Sequence, residues 1–250
     1  MTEVTASDAD VADLRAGIDA LAGLLAGSLA LPELLAQVAA FTCRAIPGAD
    51  GAAVTLLQFD TTVAALAASA PFVAAIDEIQ YVTLGEGPGI TAARGRRPVR
   101  SGSLGGEKKW PRFGPRVGRM GVHSVLALPL LLPDRVVGAI TVYAYAKDVF
   151  DDHAEELGEL FAHPAAAAVH NAQVLTDALV LNAQLQRALS SRPVIDQAIG
   201  IIRARTGRTA EDAFVQLQGM SQGQHRKLAD VATLVVDEAV RRAQARNKTP

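Results

Sequence analysis

Residues 124–146 read SVLALPLLLPDRVVGAITVYAYA, and their patterning decides the fold. Two apolar runs flank Pro133-Asp134, a pair that turns a chain, so the stretch predicts two antiparallel strands. Side chains alternate across a strand, which places Ile140, Val142 and Ala144 on one face and Thr141, Tyr143 and Tyr145 on the other. The first face suits packing against helices. The second carries hydroxyls on apolar bodies and suits the lining of a cavity.

Working outward, AAVTLLQF (52–59) and TTVAALAAS (61–69) flank Asp60 and read as a second hairpin. Between the hairpins, residues 69–122 mix short helices with glycine-rich loops. Upstream, residues 8–46 read as helix in one or two pieces. Val11, Leu14, Ile18, Leu21 and Leu25 mark one face, and Pro32 suits the first turn of a second piece that PGADG (47–51) ends. The fold class is α+β, an antiparallel sheet with helices before and after it.

From about Phe150 the chain reads as a long helix. Val174, Ala178, Leu181, Leu185, Ala188, Arg192, Ile195, Ile199 and Ile202 step alternately by four and three. That spacing fits an a/d seam of a coiled-coil dimer, or equally an amphipathic helix packed on its own domain. Pro164 and Pro193 predict a break or restart in this helix. Beyond it, Gly207 suits a left-handed cap and Thr209 to Asp212 resembles a capping box. Ala213, Phe214 and Leu217 form the stripe of a second helix. Ser221 to Gln224 reads as another box opening a third, whose stripe is Leu228, Val231, Ala232 and Val235. Three such helices make a small bundle that leaves Arg203, Arg205, Arg208, Arg226 and Lys227 outside.

Charge divides the chain. From Arg187 onward there are eleven Lys/Arg against six Asp/Glu, and before it thirteen against twenty. An acidic body with a basic end suits a polyanionic partner, or simply a helical surface rich in arginine. With 50 % hydrophobic residues in 250, the chain can bury one large core or two modest ones. Cys43 is the single cysteine, which excludes an intrachain disulfide and a Cys-rich zinc site. The acidic start MTEVTASDADVADLR is unlike a secretory signal, and LAGLLAGSLALP (21–32), with Ser28 and Pro32, is too short to span a bilayer. The expectation is a soluble, cytoplasmic protein.

The segment VIDQAIGIIRARTGRTAEDAFVQLQGMSQGQHRKLADVATLVV (194–236) resembles the ANTAR domain, the RNA-binding output module of transcription-antitermination regulators. The likeness rests on Ala198 and Gly200, Ala213 and Phe214, Leu217, Ser221-Gln222 and RKLADVA (226–232). The family often has lysine where this chain has Ile199, and asparagine where it has His225. The resemblance implies RNA stem-loops as partners. Arg203, Arg205, Arg226 and Lys227 are then phosphate contacts, and Gln222 and His225 base readers beside Ser221. Ala198 and Gly200 form the small-residue element, with the glycine permitting close backbone approach.

The front of the chain resembles a GAF domain, a sensing fold, through LGEGPGITAA (84–93), KKWPRFGPRVGRMGVHSVLALPL (108–130) and VVGAITVYA (136–144). The glycine turn is no dinucleotide fingerprint, because position 90 is isoleucine. Gly89 stands where many relatives carry cysteine, and Cys43 matches no chromophore-attachment position. The resemblance implies a small-molecule pocket lined by Tyr81, Trp110, Phe113, His123, Thr141 and Tyr143, with Trp110 as a candidate lid or a plug of the sheet face. The ligand and any cofactor are not legible.

No hydrolase elbow, zinc-protease, Walker A or EF-hand motif occurs, so the chain is not read as an enzyme. His153, His163 and His170 read as surface residues, and no metal is expected. The domains are then a GAF sensor at 10–172, a coiled-coil linker at 173–192 and an ANTAR bundle at 193–242. Together they imply a homodimeric, signal-responsive antitermination regulator without membrane contact. The competing reading is a protein-interaction or dimerisation module that touches no nucleic acid.

Overall fold

The computed structural model describes residues 6–25, 29–58 and 62–246. The N-terminal residues before Ala6, Ser28 and the turn at Asp60 lie outside the described residues, as does the side chain of Ala188. Helices α1 (Ala6–Leu25) and α2 (Leu31–Ala45) precede strands β1 (Gly51–Gln58) and β2 (Thr62–Ala68). Helix α3 (Pro71–Asp77) runs into a π-helical turn, Glu78–Leu84, followed by α4 (Pro88–Gly95), β3 (Val99–Ser101) and α5 (Phe113–Gly118). Strands β4 (Ser124–Leu131) and β5 (Val136–Ala144) lead into α6 (Asp152–Thr206), α7 (Ala210–Gln224) and α8 (Leu228–Arg246). Contacts divide the chain into two compact units, Met1–Thr176 and Asp177–Pro250.

In the first unit the described strands form one antiparallel sheet in the order β2-β1-β5-β4-β3. Both expected hairpins are present. The short edge strand β3 was not legible, because three residues carry no measurable alternation. Register places Val54 opposite Ile140 and Leu126 opposite Val142. These residues face one way and join Leu35, Val38 and Ala39 of α2 and Leu157, Phe161 and Val169 of α6 in a continuous core. Leu35, Val38 and Phe161 are fully buried. Burial of such side chains is worth about 1.5–3 kcal/mol each, and truncating one to alanine costs about 2–5 kcal/mol. Gly138 of β5 is dictated by the pairing, since a Cβ there would strike the Thr55 carbonyl.

Helix α6 is a single 55-residue helix and is not restarted at Pro164 or Pro193, contrary to the sequence expectation. Proline's fixed φ is itself helical. Its ring removes one donor and crowds one carbonyl, a cost that the bonds of neighbouring turns can offset. The seam also divides. Val174, Leu181 and Leu185 are more than half exposed. Ile202 is buried and Ile195 and Ile199 partly so, packed within the second unit rather than continuing an open stripe.

That unit is a three-helix bundle built on Ala198, Ile202, Ala213, Leu217, Val231, Ala232 and Val235. Gly207 adopts φ 70° and its amide caps the Arg203 carbonyl at 2.8 Å. Thr209 caps α7 by accepting from the Asp212 amide at 3.2 Å. The second expected box is overturned. Ser221 to Gln224 form the last turn of α7, not the first of α8. His225 follows in a left-handed conformation, φ 52°. The His225 amide donates to the Gln222 carbonyl and the Arg226 amide to the Ser221 carbonyl, at 3.2 and 3.1 Å. This is a Schellman closure, and S-x-x-Q spells a terminal turn as readily as an opening one.

A β-carbon in the left-handed region costs about 1–2 kcal/mol, which glycine avoids and asparagine partly recovers. Replacing His225→Gly is therefore expected to stabilise the second unit by about 1 kcal/mol, and His225→Asn by less, measured as the urea midpoint of helical circular dichroism. A loss of stability in His225→Gly would show that the imidazole itself holds the turn.

Candidate functional sites

The second face of the sheet is also buried, and it is polar at its centre. Thr55, Thr141 and Tyr143 project from β1 and β5, and each is at most 1 % exposed. Asp77 and Gln80, from the end of α3 and the π-helical turn, meet them and are fully buried. Widened π turns are rare and recur at functional sites, because they re-aim side chains that a regular helix would turn away. The Asp77 carboxylate accepts from Tyr143 Oη at 3.3 Å, Thr55 Oγ1 at 3.4 Å and Gln80 Nε2 at 3.4 Å. All three are long for hydrogen bonds to a carboxylate.

Around this group stand Ile76, Ile79, Leu104, Trp110, Phe113, Val117 and Val125. Trp110 meets Phe113 edge-on, with ring centroids 6.4 Å apart. Trp110 Nε1 donates to Thr91 Oγ1 at 2.8 Å, and Thr91 donates to the Gly87 carbonyl at 2.8 Å. Glu86 accepts from the amides of Arg112 and Phe113 at 2.8 and 3.0 Å. These bonds lash the tryptophan turn to the glycine turn. Trp110 is thus a buried wall of the site, 2 % exposed, rather than a surface lid.

The glycine turn closes the group. The Gly89 amide donates to Gln80 Oε1 at 2.8 Å. A Cβ on Gly87 would collide with the Gln80 carboxamide, and one on Gly89 with the Tyr81 hydroxyl. That hydroxyl is buried beside Thr55 and Asp77. Burial pushes the Asp77 carboxyl up to about 7, against partial relief from Tyr143, Thr55 and Gln80. Burial, with the neighbouring Asp77 charge second, also raises the phenols of Tyr81 and Tyr143.

Of the expected pocket residues, the structure brings Tyr81, Thr141 and Tyr143 to the Asp77 group, with Trp110 and Phe113 as its apolar wall. His123 is half-buried and held by its backbone, donating to the Ala144 carbonyl at 3.0 Å and accepting from Leu104 at 2.8 Å. Its imidazole makes no hydrogen bond with the group. Sequence reasoning missed Asp77, Gln80, Thr55 and Thr91. One signal existed, in that Val73, Asp77 and Gln80 fall on one helical stripe beside Ile76, where polar residues interrupt apolar spacing.

In the second unit, Arg203, Arg205, Arg208, Gln222, His225, Arg226 and Lys227 are exposed and Ser221 half-exposed. The closure of α7 gathers Ser221, Gln222, His225 and Arg226 at one helix end. Ser221 Oγ donates to the Arg226 carbonyl at 2.5 Å. Arg203 and Arg205 lie in the last turn of α6, where cations also suit the helix dipole. Gly200 is exposed, and a Cβ there would meet nothing within 4 Å, so helix packing does not demand it. Ala198 is corrected: it is 0 % exposed, and its small side chain lets the bundle close rather than touching a partner.

The fold is shared with solved GAF domains. One from a phosphoenolpyruvate-protein phosphotransferase of Coxiella burnetii superposes with a TM-score of 0.54 at 15 % identity, covering 66 % of this chain and 97 % of that one. Its counterpart from Acinetobacter gives 0.50 at 15 % identity, covering 66 % and 97 %. A family model of the GAF domain matches residues 28–170, more than half of the chain, which therefore belongs to the GAF domain family. An ANTAR domain follows it, matched over residues 183–236. None of the curated proteins matches the chain.

The raised Asp77 carboxyl ties stability to pH. A group protonated more readily when folded contributes fully below its unfolded value of 3.8, and that contribution is lost as pH rises through about 7. The first unit is expected to lose up to about 1.4 kcal/mol per pH unit across that window. In Asp77→Asn the slope should flatten, read as urea midpoints at successive pH values. An unchanged slope would place the titrating group elsewhere.

Proposed function

We propose that this chain is a signal-responsive transcription antitermination regulator that binds RNA hairpins through its ANTAR bundle, with the GAF unit as sensor and dimerisation module. One observation carries the reading. The ANTAR match falls on a bundle whose core uses only apolar residues, while Arg203, Arg205, Arg226 and Lys227 all stand in solvent. A folded RNA offers closely spaced phosphates, and exposed cations on a rigid support are what neutralises them. Gln222, His225 and Ser221, gathered by the helix closure, supply polar groups for unpaired bases, and Gly200 leaves backbone open to approach. The role is regulatory binding in the cytoplasm, without a catalytic step. Among the described residues no helix is long and apolar enough to cross a membrane.

Pairing of two copies follows from the helix. Val174, Leu181 and Leu185 are 51–56 % exposed along α6 at seam spacing. A second copy covers such a stripe in register and carries a second bundle with it. Two bundles on paired hairpins gain from effective concentration, so a change in the GAF unit that alters the helix pair controls affinity without new contacts.

Binding to a hairpin RNA should weaken steeply with salt, and Arg226→Ala with Lys227→Ala should lower the slope of log affinity against log salt by about one per lost phosphate contact. Salt-independent binding, or none at low ionic strength, would favour a protein partner. Leu181→Glu with Leu185→Glu is expected to shift sedimentation from dimer to monomer while the GAF unit keeps its melting profile. A wild-type chain that sediments as a monomer would remove the pairing.

A further inference from the structure

We propose that the Asp77 group is a recognition site for the positively charged nitrogen of a small organic cation with an apolar body, an amine or amidine, admitted when residues 85–89 lift from Gln80 and Tyr81. The proposal deepens the sensor reading above, since it names the chemistry the sensor takes.

Charge is the first argument. Asp77 is fully buried, and among the described residues no Lys, Arg or His forms an ion pair with it. A buried carboxylate without a counter-charge is costly, and a ligand that brings one recovers more than a neutral donor does. An anion is excluded by the same charge, because the group offers a carboxylate and phenols but no cation. Geometry is the second argument. The three donors to Asp77 all stand at 3.3–3.4 Å, so its oxygens retain capacity for a closer donor. Tyr81 Oη is buried at the same place, beside Gly89 and Thr55, and retains an acceptor site for a second N–H. An ammonium or amidinium has several N–H groups to divide between these oxygens.

Shape is the third. The Trp110 and Phe113 rings form an apolar wall to the group, suited to a flat or aliphatic body and to the cation–π attraction of an adjacent charge. Access is the fourth. The cover is the turn that runs from Gly85, at φ 62°, into the first residues of α4, held to the floor by the Gly89–Gln80 bond and to the wall by Glu86. Lifting this segment would free Gln80 Oε1 and clear the Tyr81 hydroxyl against which Gly89 stands. Glu86 and Thr91 tie the same turn to Trp110 and Phe113, so the wall moves with the cover.

Trp110 is the only tryptophan, so its emission reports on this site alone. The full-length protein at pH 8 is titrated with benzamidine and phenethylamine, and with benzamide and benzoate as neutral and anionic counterparts. A saturable change is expected with at least one of the cations, at least tenfold weaker with benzamide and absent with benzoate. Asp77→Asn should weaken the cation at least tenfold. Should Asp77→Asn fail to fold, Tyr81→Phe keeps the ring and is expected to weaken the cation several-fold with an unchanged far-ultraviolet spectrum. No saturable response to either cation, equal binding of benzamide, or undiminished binding in both variants would overturn the site. Hairpin RNA binding is measured on the same samples. RNA binding without cation binding removes this site and leaves the RNA reading, whereas cation binding without RNA binding upholds the site and removes that reading.

Discussion

Everything in the first unit depends on a sheet whose central strands are buried on both faces. An antiparallel sheet of this size usually turns one face to water, which frees half its residues from any constraint. Here β5 is buried from Gly138 to Ala144, with one apolar cluster packed on each of its faces. Ile140 and Val142 satisfy the helical layer by apolar contact alone. Thr55 and Tyr143 must find partners for their hydroxyls away from water, and the carboxylate of Asp77 is what the chain supplies. The chemistry of the site is thus a consequence of covering the second face, not an addition to a finished fold.

That solution is incomplete in an instructive way. A polar group built only to satisfy Tyr143 would use a neutral acceptor at normal hydrogen-bond distance. Instead a carboxyl group sits among donors that reach it only at 3.3 Å or more, and its protonation is shifted to about 7 by burial. Near neutral pH it is therefore divided between a charged and an uncharged form. Either form leaves something unmet, a charge without a counter-charge among the described residues or a set of polar contacts all longer than 3.2 Å. Groups held in that condition occur where a protein binds or switches, because the deficit is what a ligand can relieve.

The sequence made some of this legible and not the rest, for physical reasons. Period-two alternation in β5 foretold both faces, and the composition of the second face foretold a polar interior. Gly207 and Thr209 announced a helix boundary because each has one conformational use there. Ser221 to Gln224 misled because capping residues are named by their side chains, and the same side chains serve at a last turn closed by a left-handed residue. The left-handed His225 was hidden for the same reason. Asp77 was hidden because an aspartate on an apolar helix gives no sign of its burial until the strands opposite it are placed. The exposure of Arg203, Arg205, Arg226 and Lys227 was legible by elimination, since the apolar stripes left them no place in the bundle core. Ala198 shows the limit of that carry-over: a motif position marks where a residue type is needed, not whether it touches the partner.

Helix α6 joins these considerations. One three-four spacing, apolar except at Arg192, runs from Val174 to Ile202, yet the residues along it have different fates: the early ones are exposed, the late ones close the bundle. A pattern of period three and four specifies a stripe, not the surface that covers it. The late residues are committed to α7 and α8 within the chain, which fixes the bundle independently of assembly. The early residues Val174, Leu181 and Leu185 stay about half exposed, so the bundle's own packing does not fix what covers them.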